Sequence, residues 1–198
     1  SMSRPHQQYL LARCASSTIF RIVDLARRTH MRVGYSEFGD ESWKHFARDS
    51  GSRFFTRDYA GIQSLARNLQ TRGSTHYAEA LRDVLAEFER LVQLRGSGQR
   101  MHAVMLSDGE PTVGCTELHE ERSWAKRLKV CIHTIFIGDG AYPPVLARLA
   151  ADTGGKRFHA VPNYHAGHIR VADVSHEAIV ELPQWQVWAM GQRASRTQ

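Results

Sequence analysis

The chain has 198 residues, 42% of them hydrophobic and 23% charged, which suits one α/β domain with a sizeable core and is too short for two ordinary ones. No run of eighteen apolar residues occurs, so a membrane-spanning helix is excluded. The formal charge of +6 is supplied mostly by arginine, with Lys44, Lys126, Lys129 and Lys156 the only lysines, and no block of five like charges forms a nucleic-acid footprint.

Leu11, Ala15, Ile19, Ile22 and Ala26 recur at spacings of three and four, which predicts a long amphipathic helix from Pro5 to about His30. Met31 to Phe38 then reads as a strand closed by Gly39-Asp40, with Ser42 to Ala47 as its hairpin partner. Thr56 is placed to cap a helix running to Gln70. After the break at Gly73-Ser74-Thr75, Ala78, Leu81, Leu85, Phe88 and Val92 form the stripe of another helix, which ends at Gly96-Ser97-Gly98. Ala103-Val104-Met105-Leu106 is a short apolar run ending in Ser107-Asp108-Gly109. A helix from Glu117 to Leu128 leads to an apolar strand, Val130 to Ile137. Pro143-Pro144 opens a helix through Ala151, Gly154-Gly155 stops it, and Phe158 to Val161 makes a last strand. Asn163 to Ser175 reads as loop and His176 to Leu182 as a short helix. The segment from Pro183 carries Trp185 and Trp188 and then turns polar.

Helices alternating with short, continuously apolar strands predict an α/β fold, a doubly wound and mostly parallel sheet flanked by helices. The expected organisation is one domain over residues 1–182 and a tail or linker over 183–198. Cys14, Cys115 and Cys131 do not make a disulfide framework. Cys14 and Cys131 read as small buried hydrophobes, and together with the lack of a signal peptide they favour a cytoplasmic home.

In open α/β sheets ligands bind at loops beyond the carboxyl ends of the strands. Here four segments resemble, in order and spacing, those of von Willebrand factor A-type (vWA) domains. Gly73 to Leu81, GSTHYAEAL, is similar to their second metal loop. Ala103 to Pro111, AVMLSDGEP, is similar to the third. IHTIFIGDG followed by LARLAADTGGKRFHAV resembles their late strand, helix and final strand. MRVGYSEFGD matches the strand after their first helix. The resemblance covers Met2 to Val161.

The family's first metal loop, Asp-x-Ser-x-Ser, is not found. Ser1-Met2-Ser3 is similar to its close, which makes Ser1 the last serine of that loop, the competing reading being a tag remnant. On the first reading the central strand of the sheet lies upstream of residue 1. The resemblance implies a Rossmann-like vWA fold serving as a protein-protein interaction module and not as an enzyme. It implies a metal-ion-dependent adhesion site for Mg²⁺, or Mn²⁺ or Ca²⁺, with Thr75, Asp108 and Ser1 as ligands. A partner's acidic residue would complete the coordination, and a cation held by few anionic ligands gains most from it. The alternatives are a metal-independent vWA scaffold in a larger assembly, and an α/β enzyme whose catalytic residues lie elsewhere. From the residues alone, Thr75 could be only a helix cap and Asp108 only a turn residue.

Other constellations carry less. His159, His165 and His168 lack the cysteine pair or spacing of a zinc site. His119-Glu120 has no second histidine four residues on, and no phosphate loop or nucleophile elbow occurs. His102 and His133 lie in or beside apolar strands, where a hydrogen-bonded core histidine is the ordinary reading.

Overall fold

The structure is a computed structural model that describes residues 3–39, 41–45, 53–69, 75–96, 98–109, 111, 117–163 and 168–177. Ser1, Cys115, His165 and the segment from 178 to 198, with Trp185 and Trp188, lie outside the described residues.

The chain opens with α1 (Ser3–Arg28), whose last turn places Arg27 and Arg28 at the negative end of the helix dipole. Two short antiparallel strands follow, β1 (Tyr35–Phe38) and β2 (Ser42–His45), the expected hairpin. Next come α2 (Tyr59–Arg67), α3 (Tyr77–Arg95), β3 (Met101–Ser107), α4 (His119–Leu128), β4 (Val130–Ile137), α5 (Pro144–Thr153), β5 (Arg157–Asn163) and β6 (His168–Asp173). β3, β4 and β5 are parallel neighbours, and β6 closes the sheet antiparallel to β5, so the order is β3-β4-β5-β6. The fold is the expected α/β class with a mostly parallel sheet. Among the described residues the hairpin forms a sheet of its own.

Layering follows from the stripes. Leu81, Leu85 and Phe88 of α3, Ala125 of α4, and Leu146 and Leu149 of α5 pack on Ile132 and Phe136 and cover one face. On the other face, α1 straps the two sheets together. Its Cys14 is buried with Ile135, Ile137 and Ala160, while its Val23 is buried with Tyr35 of β1 and Ile62 of α2.

Three details differ from the sequence reading. Thr56 does not cap α2. Its backbone is held extended by paired bonds with Val33 (2.8 and 2.9 Å), and Asp58 caps instead, its carboxylate accepting the Gly61 amide at 2.8 Å. The loop expected over Asn163 to Ser175 contains β6, and β5 runs on to Asn163. The alternation Ile169, Val171 with polar residues between is an edge-strand pattern too short to stand out. Pro162 is tolerated because β4 pairs with β5 only as far as Ala160, so no ladder bond from its nitrogen is needed there. Finally, Cys131 is half-buried where full burial was expected, and His102 is exposed, stacked on His133 with a 3.0 Å bond between their ring nitrogens.

Helix and strand packing is tightest at Gly154-Gly155. Gly154 ends α5 in the left-handed conformation (φ 70°), as a glycine C-cap does. Gly155 then passes so close to β4 that a Cβ would stand 1.9 Å from the Ile132 carbonyl oxygen.

Candidate interaction site at the carboxyl edge of the sheet

β3 ends in Ser107, Asp108 and Gly109. Ser107 is buried and Asp108 is exposed. The turn is held from inside, since the Gly109 amide donates to Ser107 Oγ at 3.3 Å. A second tie comes from α3. Tyr77, in its first turn, is fully buried, and its hydroxyl lies 2.5 Å from Ser107 Oγ and in hydrogen-bond contact with the Gly109 carbonyl. Thus the residue that fixes the Asp108 turn belongs to the helix that follows Thr75. Sequence reasoning missed Tyr77, although it sits one turn before Leu81 on the same stripe.

Thr75 is half-buried just before that helix. Its alternative role as a cap is not taken up at the usual place, for the N-cap is His76 and no side chain caps there. His76 Nδ1 instead contacts the Glu79 carboxylate at 3.0 Å, and the His76 amide donates to the Gly39 carbonyl at 3.1 Å. That last bond ties the end of β1 to the start of α3, and the edge-to-face contact of Phe38 with Tyr77 (5.9 Å between centroids) packs beside it. Phe38, Thr75, Ser107 and Asp108 are all among the residues that line a single large cleft. Two of the three expected site residues, Thr75 and Asp108, line this cleft, and Ser1 lies outside the described residues.

The polar chemistry offered there is that of hard oxygens, the Thr75 hydroxyl and the Asp108 carboxylate, the Ser107 hydroxyl being engaged by Tyr77 and Gly109. Their type suits a divalent cation, but their number falls short of the six or more oxygens such an ion takes. No cluster of three or more His, Cys, Asp or Glu suited to a metal occurs among the described residues. Glu37, the nearest further carboxylate on β1, is already engaged by the Tyr35 hydroxyl (2.9 Å) and His45 (3.3 Å). Burial and that neighbouring Glu37 charge push the Tyr35 hydroxyl far above its ordinary range.

The von Willebrand factor type A domain profile matches residues 60–157, the stretch from α2 to the start of β5 that carries both Thr75 and Asp108. No curated protein matches the sequence. Among solved structures, the conserved hypothetical protein BatB from Bacteroides thetaiotaomicron superposes with a TM-score of 0.57 at 14% identity, over 93% of this chain and 87% of that one. An aerotolerance-related membrane protein from Bacteroides fragilis gives 0.55 at 15% identity, over 74% and 79%. Proximal thread matrix protein 1 from the mussel byssus gives 0.54 at 16%, over 76% of this chain and 38% of that one. At these identities the neighbours speak for the fold, and the profile for the family. The matched profile, with the order of helices and strands, identifies the stretch from residue 60 to residue 157 as a von Willebrand factor type A domain match.

Proposed function

We propose that the chain is a protein-interaction module whose binding face is the carboxyl edge of the sheet around Thr75 and Asp108. The observation that carries the reading is convergence. Two hard-oxygen side chains 33 positions apart in sequence line one cleft, and Tyr77 braces the turn that bears Asp108. In the finer form of the proposal, Thr75 and Asp108 supply two ligands to a Mg²⁺, Mn²⁺ or Ca²⁺ ion. An Asp-x-Ser-x-Ser loop supplies the others, with Ser1 as its last serine, and a partner's carboxylate takes the open position. Since two ligands fall short of the six or more oxygens such an ion takes, the proposal requires that loop.

The test is a thermal melt in chelator and then in saturating Mg²⁺. It is run on this chain, on a version extended at Ser1 by an apolar strand ending in Asp-x-Ser-Gly, and on the Asp108→Ala form of that version. A ligand at a hundred times its dissociation constant adds about 2.7 kcal/mol, roughly 5–10 °C for a domain of this size. The extended chain should show that shift and its Asp108→Ala form should not. No shift in the extended chain, or a shift that survives Asp108→Ala, would refute the cation part of the proposal. The metal-independent scaffold would then be the better reading of the same edge.

A further inference from the structure

α1, α3, α4 and α5 each end shortly before a strand begins, so their carboxyl ends lie at the amino edge of the strands, the pole opposite Asp108. Basic residues follow this topology. Arg27 and Arg28 close α1, Arg95 closes α3, and Lys126 and Arg127 close α4. Arg32 leads into β1, Arg100 directly precedes β3 and Lys129 directly precedes β4. Acidic residues go the other way, with Glu79, Glu120 and Glu121 in the first turns of α3 and α4. Charges scattered along the sequence are sorted by the fold into a basic pole and a more acidic one.

The basic pole is a continuous band. Partial desolvation, with the guanidinium groups of Arg95, Arg57 and Arg53 within electrostatic reach, holds Arg32 below the ordinary arginine range. Met101 and Val130 are partners across β3 and β4, so Arg100 and Lys129, one residue before each, stand side by side at the strand spacing of about 4.8 Å. The connection from α3 to β3 carries both Arg95 and Arg100 and so joins the two groups. Arg32, Arg53, Arg57, Arg95, Arg100 and Lys129 are exposed, and among the described residues none of them pairs with a carboxylate. Asp24, Asp152 and Asp173, at the same pole, are already taken by Arg27, Arg122 and Lys156.

A basic residue in a last helical turn ordinarily serves to offset the helix dipole. That role is too small here. Four helix ends at about half a negative charge each answer about two of the six unpaired cations. The surplus is a field of one sign, which attracts an anionic partner and speeds its encounter. The helix ends narrow the chemistry of that partner. They present backbone carbonyls, which accept hydrogen bonds and repel phosphate oxygens. A polypeptide brings amide donors for the carbonyls and carboxylates for the cations, whereas a phosphodiester backbone brings acceptors alone.

We infer that this basic pole is a second interaction surface, which takes an acidic segment of a partner protein. The inference rests on the reading of the chain as a protein-interaction module and adds a face away from Thr75 and Asp108. Arginine suits the contact, since its planar fork holds a carboxylate through two parallel bonds. Carboxylates seated there also relieve the repulsion among the guanidinium groups around Arg32.

The probe is a labelled peptide of about twelve residues with glutamate alternating with serine, long enough when extended to cross the pole. Its binding to the full chain is followed by fluorescence anisotropy in chelator, so that the result is independent of any cation. The peptide should bind, its glutamine counterpart should not, and affinity should fall about tenfold in Arg95→Glu, Arg100→Glu. Arg21→Glu, Arg170→Glu makes the same change of net charge at exposed positions of α1 and β6 outside the band, and its affinity should stay within about twofold of the parent. Circular dichroism checks that both variants fold. A short DNA duplex and vesicles containing phosphatidylserine, at the same salt, should bind more weakly than the peptide. Four results overturn the inference: no peptide binding, equal binding by the glutamine peptide, equal loss in the two variants, or tighter binding of DNA or vesicles. None of these bears on the melt in Mg²⁺, so failure here is distinct from failure at the carboxyl edge.

Discussion

Tyr77→Phe removes one oxygen and tests how the Asp108 turn is held. The Tyr77 side chain is fully buried, so the ring keeps its packing against Phe38, and the hydroxyl contacts to Ser107 and Gly109 are lost. Ser107 Oγ retains the Gly109 amide at 3.3 Å and the Gly109 carbonyl at 3.2 Å, both long, so it is partly compensated. Among the described residues the Gly109 carbonyl is left with that long contact. Leaving a buried polar group unsatisfied costs about 1–3 kcal/mol, and the residual contacts place this case near the low end, at about 1.5 kcal/mol. For a domain of this length that corresponds to a fall in melting temperature of about 3–6 °C. Urea unfolding should show the same loss with an unchanged m-value. The local consequence is sharper. The Gly109 amide should exchange with solvent faster in Tyr77→Phe, while amides in the middle of β4 slow or quicken only with global stability. Because both side chains belong to one network, Ser107→Ala combined with Tyr77→Phe should cost less than the sum of the two changes. A loss under about 0.5 kcal/mol, with Gly109 exchange unchanged, would show that Tyr77 packs the core and does not brace the turn.

Other expectations follow from the same kind of accounting. Thr153→Val should destabilise by about 1–3 kcal/mol in denaturant melts, because Thr153 Oγ1 accepts the buried Ile132 amide at 3.1 Å and valine leaves that donor without an acceptor. Gly155→Ala should cost about 3 kcal/mol or prevent folding, since its Cβ meets the backbone of Ile132 and not a side chain that could move. The pH dependence centres on His133, held below the ordinary histidine range by burial and by the neighbouring His102 and Lys156 charges. Its Nδ1 accepts the Lys156 amide at 3.0 Å, so the folded state keeps the ring neutral while the unfolded chain protonates. The unfolded state therefore binds more protons, and stability falls as pH drops from the unfolded value near 6.5 toward the lower folded value. His133→Gln should flatten that part of the stability profile, and an unchanged slope would refute the assignment.

The parts of the fold that could be read from sequence are those where one residue pattern fills one element. The stripe Leu81, Leu85, Phe88 and the runs at β3 and β4 have no rival explanation, and they lie where periodicity puts them. β6 escaped notice because six residues with three apolar positions, one of them alanine, do not exceed the noise of a polar loop, and pairing with β5 makes them a strand. Thr75 and Asp108 were named through family resemblance, and both line the cleft. The Tyr77 brace was not, because a contact across 30 positions is a product of helix docking and leaves no local mark. The same holds for Glu121, 1% exposed and paired with Arg82 Nε at 2.7 Å, which reads in sequence as one more charge on a solvated helix.

Among the described residues the two sheets share no strand, so their relative placement is the work of helices. α1 buries Cys14 against the larger sheet and Val23 against the hairpin, and α3 holds the end of β1 through the His76 amide and the end of β3 through Tyr77. The spacing between Thr75 and Asp108 therefore depends on helix docking, which is more adjustable than a ladder of backbone bonds.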